Sequence, residues 1–168
     1  DGAKVARVSS IDRSGVDRVV PALLWQVERL ARRHTVHIFA LRQETDPGHW
    51  NLLGANVHNI GTGNGRRRRL LSWFNAEHKR EPFDVMHAFW AGAVMYPVIA
   101  TVWRRVPFVL HLAGGELVAL RDIGYGGRCS WKGRMLLRVT LDAADRVSVA
   151  SGYMQQLAHA RGCEADHI

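Results

Sequence analysis

Residues 16–40 read V-D-R-V-V-P-A-L-L-W-Q-V-E-R-L-A-R-R-H-T-V-H-I-F-A, and this stretch decides the fold. Val16, Val19, Val20, Leu23, Leu24, Val27, Leu30 and Ala31 recur at the spacing that gathers apolar side chains on one helix face. Arg18, Glu28, Arg29, Arg32 and Arg33 take the remainder. Asp17 near the start and the Arg pair at the end suit the helix dipole, and Pro21 falls early, where a missing N–H is least costly. Within a residue or two the pattern becomes a continuous strand-like run over 35–40. A similar run, Val5-Ala6-Arg7-Val8, precedes the helix. Strand, helix and strand with joints this short imply parallel pairing through a right-handed crossover.

The alternation continues along the chain. Strands are predicted over 56–60, 83–87, 107–112 and 146–150, and helices over 66–80, 91–105, 131–143 and 152–161. Six strands alternating with helices predict an α/β fold, a doubly wound parallel sheet of about six strands, formed by one domain over 1–168. The 168 residues are 47% hydrophobic and 23% charged, the composition of an ordinary globular domain rather than a disordered chain. Lys and Arg outnumber Asp and Glu 23 to 15, a net charge of +8. Such a surface attracts polyanions: nucleic acid, anionic headgroups or phosphorylated small molecules. The chain has two cysteines, Cys129 and Cys163, without paired spacing. That excludes a disulfide scaffold and a four-cysteine zinc site and favours a reducing cytoplasm. No metal and no cofactor is expected. The start shows no signal-peptide pattern. The longest uncharged stretch, 88–103, contains Gly92 and Pro97 and is shorter than the ~18–20 apolar residues of a membrane span, so it reads as a buried helix.

In sheets of this kind ligands bind beyond the carboxyl ends of the strands. Three segments lie there. Ser14-Gly15 opens the long helix, either as a cap or as a phosphate site at its N-terminus. His87 ends the 83–87 strand, facing the crevice or hydrogen-bonded in the sheet edge. The 107–112 strand runs into Ala113-Gly114-Gly115-Glu116, where paired glycines mark a sharp turn or a close ligand approach. Glu116 is the acidic residue best placed to grip hydroxyl groups. Its alternatives are capping nearby backbone N–H groups or pairing with Arg121. There is no Gly-x-Gly-x-x-Gly and no Walker lysine.

Taken together, Gly15-Val16-Asp17-Arg18-Val19-Val20, Asp84-Val85-Met86-His87-Ala88, Pro107-Phe108-Val109 through Gly114-Gly115-Glu116, and Ala144-Asp145-Arg146-Val147-Ser148-Val149-Ala150-Ser151 resemble the N-terminal half of retaining glycosyltransferases with the two-domain GT-B fold. Sucrose synthase and the bacterial phosphatidylinositol mannosyltransferases belong to that group. The resemblance spans roughly residues 4–162. It implies a Rossmann-like, acceptor-binding domain, with the nucleotide-sugar-binding domain absent from this chain, which alone is then inactive. It implies a nucleotide-diphosphate sugar as donor and a sugar, lipid or polysaccharide as acceptor. By the same resemblance Ser14 and Gly15 approach the donor diphosphate, although the family usually has two glycines there. Gly114 and Glu116 match a His-Gly-x-Asp/Glu segment whose histidine is replaced by Ala113. His111, two residues earlier on the same face, is the candidate substitute. Glu116 and His111 are thus the expected catalytic residues. A stand-alone binding module and half of a sugar-nucleotide epimerase are the rival readings.

Two further features stand apart. Arg66-Arg67-Arg68-Arg69 leads into Leu70-Leu71-Ser72-Trp73-Phe74. That helix, residues 66–80, is either a packing helix with a basic face or an interfacial helix on an anionic membrane, with Trp73 at headgroup level. The second option would place the protein peripherally at the inner face of the membrane. No specific nucleic-acid module is present. The glycine-rich loop around 122–128 is expected to border the crevice and order over an acceptor, with Arg121 and Arg128 meeting an acceptor phosphate.

Overall fold

A computed structural model describes residues 4–9, 21–41, 43–91 and 105–167. The chain forms two compact units, residues 1–86 and 87–168.

In the first unit β1 (Lys4–Ser9) and β2 (Thr35–Ala40) pair in parallel, Val5 opposite Val36, with α1 (Pro21–Ala31) between them in sequence. Residues 16–20 of the expected helix lie outside the described residues, as do Ser14 and Gly15. β3 (Gly48–Leu52) and β4 (Ala55–Asn59) complete the order β3-β4-β2-β1, with β4 parallel to β2 and β3 antiparallel to β4. Side chains alternate across a strand, and β2 uses both faces. Val36, Ile38 and Ala40 form a buried cluster with Val27 of α1 and with Ala55 and Val57 of β4, and Leu24, Leu30 and Ala31 pack against it. On the other face Phe39 stacks 4.7 Å from His58 and meets Phe74 of α2 (Arg66–Arg80) at 5.5 Å. Helices therefore cover both faces of β2, the expected double winding.

The β1–α2 joint depends on Lys4, which is only 2% exposed. Its ammonium donates to the carbonyls of Glu77 (3.3 Å) and Glu81 (2.8 Å) and lies 3.3 Å from the Glu81 carboxylate. A cation on the last-turn carbonyls satisfies acceptors that the helix leaves open and opposes its negative end.

In the second unit β5 (Val85–Phe89), which begins in the last residues of the first, is followed in order by β6 (Phe108–Leu112), β7 (Arg146–Val149) and β8 (Asp166–His167). β6–β7 and β7–β8 are parallel. α3 (Trp131–Ala143) and α4 (Gly152–His159) start at serine caps: Ser130 Oγ accepts from Gly133 N–H at 3.0 Å, and Ser151 Oγ from Met154 N–H at 3.3 Å. The expected helix over 91–105 falls almost wholly outside the described residues. Eight strands occur among the described residues, against about six expected. β3 was hidden because its hairpin turns through Leu53 and Gly54 at φ of 50° and 84°. That two-residue geometry normally announces itself as Asn-Gly. β8 is too short to carry a pattern. No described helix is long and apolar enough to cross a membrane.

The α2-facing layer of the first unit buries His37 and His58. Burial, with Lys4 next in weight, holds His37 below the usual imidazole value. Burial and the neighbouring His37 and His49 push His58 down to about 3. In the unfolded chain both titrate near ~6.5, so below that pH the unfolded state binds more protons and stability falls. Stability from this layer should be complete above pH ~6.5 and decline toward pH ~3, by up to about 1.4 kcal/mol per pH unit for each histidine still neutral in the fold. Urea midpoints measured from about pH 7 to pH 5 should therefore drop steadily. Midpoints that stay level would show that these imidazoles accept protons without opening the layer.

Candidate functional site

The candidate site grows from β6. Phe108, Leu110 and Leu112 are buried while Val109 and His111 are half-buried, the alternation of a strand covered more fully on one face. Ala113 and Gly114 leave the strand and Gly115–Leu117 makes one 3-10 turn, with Leu117 fully buried beneath it. That anchor holds Glu116 down, at 9% exposure. One carboxylate oxygen, Oε2, accepts the Gly114 N–H at 2.9 Å. The other, Oε1, is buried and has no hydrogen-bond partner among the described residues. A buried acceptor left open costs about 1–3 kcal/mol, so Glu116 holds an unspent acceptor just beyond the carboxyl end of a strand. The capping alternative is thus realised on one oxygen only. No ion pair between Glu116 and Arg121 occurs among the described residues.

The segment after the turn folds back on it. Leu120 and Tyr125 exchange backbone hydrogen bonds of 2.8 and 3.0 Å. This tight loop lays Tyr125 on Gly115, where a Cβ would sit 2.8 Å from the phenol oxygen. A Cβ on Gly127 would lie 3.1 Å from the Glu116 carbonyl, and one on Gly126 would lie 2.3 Å from the Val118 carbonyl. The glycines that suggested an irregular loop are therefore contact points of three successive 3-10 turns, Gly115–Leu117, Arg121–Ile123 and Gly127–Cys129.

His87 and His111 come together, with ring centroids 6.4 Å apart and Phe89 between them, 4.6 Å from His87 and 4.9 Å from His111. His111 Nδ1 is 3.0 Å from Ser148 Oγ of β7, a contact that sequence reading missed. Both histidines lie on strands that end beside the Gly114-Gly115-Glu116 turn. Arg121 is exposed. Arg128 lines a cavity of about 750 Å³ with Arg134, Arg138, Arg161, Asp145 and Glu164. That cavity includes the first residues of β7, the opposite end of the parallel strands from Gly114. Ser14 and Gly15 lie outside the described residues.

The basic helix also resolves. α2 buries Leu70 and Phe74, and Trp73 packs on His49 with ring centroids 4.1 Å apart and planes tilted by 37°. Arg69 Nη1 donates to the Ile60 carbonyl at 2.6 Å. Trp73 is thus engaged in packing rather than presented as a headgroup anchor. Sequence reading overlooked a cluster beneath it: His37, His58 and Glu77, whose ligand-type atoms all lie within 4.8 Å of one another. The signal was dispersed, one residue on each of three elements.

The profile of the glycosyl transferase 4-like domain family matches residues 18–168. Among solved structures the chain is similar to sucrose-phosphate synthase from Thermosynechococcus elongatus, at 13% identity and a TM-score of 0.71, over 99% of this chain and 47% of that one. Anabaena HepE, solved in complex with UDP-glucose, gives 14% identity and a TM-score of 0.65 over 98% and 43%. UDP-N-acetylglucosamine 2-epimerase from Rickettsia bellii gives 10% and 0.64 over 99% and 44%. The chain spans slightly under half the length of these proteins, which share its Rossmann-like fold. Among curated protein sequences none matches.

The loop that holds Glu116 depends on backbone contact at Gly126, whose φ is +118°. Gly126→Ala should cost at least ~1–3 kcal/mol of local stability and lower the melting temperature by several degrees. Gly63→Ala, with nothing within 4 Å, should leave it unchanged. Equal melting temperatures for the two variants would show that the loop does not rest on that contact.

Proposed function

We infer that this chain, which belongs to the glycosyl transferase 4-like domain family, is the acceptor-side half of a retaining glycosyltransferase. The reaction moves a sugar from a nucleotide-diphosphate donor to an acceptor hydroxyl. The observation that carries this reading is the buried, unpartnered Oε1 of Glu116 at the end of β6. A carboxylate held by one backbone N–H and open at its other oxygen is suited to accept hydrogen bonds from sugar hydroxyls. Charge-assisted bonds of that kind contribute about 1.5–3 kcal/mol each when shielded from water.

The chemistry asks little else of this half. In the front-face route no protein nucleophile is needed, and the rate comes from orienting the acceptor hydroxyl and stabilising the departing diphosphate. Gly114 adds no side chain beside Glu116, whereas the space over Gly115 is filled by the Tyr125 phenol, which a sugar ring would have to displace. His87 and His111 are the neighbouring groups able to donate to or accept from hydroxyls, with His111 oriented through Ser148. Ser14 and Gly15 would face the donor diphosphate and the exposed Arg121 an acceptor phosphate, whereas Arg128 faces the separate cavity beside α3. The nucleotide is assigned to a second domain of the kind that the longer, fold-related proteins have room for.

The 2-epimerase among the similar structures favours a second reading, in which the same turn holds a nucleotide sugar that is epimerised rather than transferred. Product analysis separates them: a glycosylated acceptor supports transfer, and an epimerised nucleotide sugar supports the alternative.

Two outcomes are expected. The chain by itself should turn over no UDP- or GDP-sugar and bind one only weakly, on the order of millimolar, which is roughly 4 kcal/mol. Micromolar binding in a calorimeter would sink the division between the halves. In the two-domain enzyme Glu116→Gln should slow transfer about tenfold for each ~1.4 kcal/mol of lost interaction, with the melting temperature nearly unchanged. Normal specific activity in a less stable Glu116→Gln protein would make Glu116 scaffolding.

A further inference from the structure

We propose that His37, His58 and Glu77 form a binding site for a divalent transition-metal ion of the zinc type, which clips β2, β4 and α2 of the first unit together. The proposal stands apart from the sugar-transfer reading. The three residues come from separate elements and converge because of the register. His37 on β2 lies opposite Asn56, so His58 is two residues further along β4 on the same face. Glu77 reaches that face from the last turn of α2. His37 Nδ1 is 2.9 Å from His58 Nε2 and 3.8 Å from Glu77 Oε2. The two imidazoles are 1% and 5% exposed, and they stack 14° from parallel.

Two imidazole nitrogens and a carboxylate oxygen are a borderline donor set of the kind that zinc, cobalt and nickel favour. With bonds of ~2.0–2.1 Å, tetrahedral ligand atoms sit about 3.3–3.4 Å apart. The His37–His58 contact would open by a few tenths of an ångström, the His37–Glu77 contact would close by about as much, and the Glu77 carboxylate would move toward His58, whose ligand atom lies within 4.8 Å of it. An orienting contact is present for His58, whereas Nε2 of His37, which would carry the proton with a metal on Nδ1, is buried with no hydrogen-bond partner among the described residues. His58 Nδ1 lies 2.9 Å from His49 Nδ1, so a metal on Nε2 leaves the N–H of Nδ1 pointing at an acceptor, the usual support of a metal-bound histidine. His49 is directly opposite His58 across the β3–β4 ladder and is held by Trp73.

The local cations set the terms. Arg80 Nη2 lies 2.9 Å from Glu77 Oε2, but its side chain is 69% exposed and can swing into solvent. Lys4 is already committed to the Glu77 and Glu81 carbonyls and the Glu81 carboxylate. The carboxylate is therefore exchanged from an exposed guanidinium to the metal, without stranding a buried charge.

The test uses the full chain, washed with chelator and titrated with zinc chloride in a calorimeter. One equivalent should bind, and a hundredfold excess over Kd should raise the melting temperature by roughly 5–10 °C. Cobalt(II) should give the intense visible band of a tetrahedral site. Glu77→Gln, which keeps the size of the side chain, should weaken zinc binding at least about tenfold. The proposal is overturned if the wild-type chain takes up no saturable zinc, or if Glu77→Gln binds it equally well. If Glu77→Gln does not fold, the wild-type cobalt spectrum decides: a weak octahedral spectrum, as from surface histidines, overturns the site.

Discussion

Strand register in both units hangs on one repeated device, an aspartate just ahead of a strand that grips the first residue of a neighbour. Asp145 N–H donates to the Phe108 carbonyl at 2.9 Å, and its Oδ2 accepts the Phe108 N–H at 2.7 Å. Asp84 treats Lys4 the same way, at 3.0 and 2.5 Å. The first N–H of a strand has no ladder partner of its own and must find an acceptor. A carboxylate supplies a stronger one than an amide would. Because Asp145 levels the starts of β6 and β7, Leu112 and Val149 end opposite one another. The Gly114-Gly115-Glu116 turn and the Ser151-capped helix thus leave their strands at one edge. A slip of one residue would reverse every side chain, removing Leu117 from the core and releasing Glu116.

The same register has the opposite consequence on β2. Its Val36–Ile38–Ala40 face is an ordinary aliphatic layer, but its other face must bury His37 beside Phe39. Burying imidazoles is unfavourable unless their nitrogens are engaged. The layer answers with a chain of contacts, His49 to His58 to His37, flanked by Phe39, Phe83 and Trp73. The two histidines whose pKa burial lowers thus lie in one stratum between β2, β4 and α2. The second unit carries the Gly-Gly-Glu turn and the open carboxylate oxygen of Glu116.

Where local pattern and tertiary role agree, the sequence was legible. β2, α2 and α3 are found over the expected residues because period and caps speak within one element. β3 was not legible, since Leu53 occupies a left-handed turn position that a β-carbon disfavours. Trp73 read equally well as an anchor or a core residue, and only its contact with His49, distant in sequence, separates the two. The turn after β6 was legible because a buried strand running into paired glycines is a local signal. The grouping of His37, His58 and Glu77 was not, because it exists only once two strands and a helix are in register.

The glycine loop shows how composition misleads in a particular direction. Gly-rich sequence suggests freedom, yet a β-carbon would lie under 3 Å from a neighbour at Gly115, Gly126 and Gly133 and 3.1 Å from one at Gly127. At Gly133, inside α3, it would lie 1.8 Å from the Gly127 carbonyl. The glycines let the loop press onto the turn and the start of α3 press onto the loop. Glu116 is consequently held from below by Leu117 and along its backbone by Gly127, with Tyr125 lying over the adjacent Gly115. A ligand that reaches Oε1 must come to terms with that phenol, which sits at the end of a rotatable side chain on an exposed residue. The backbone around Glu116 is thus closely packed at its glycines, and the group lying over Gly115 is a single aromatic ring.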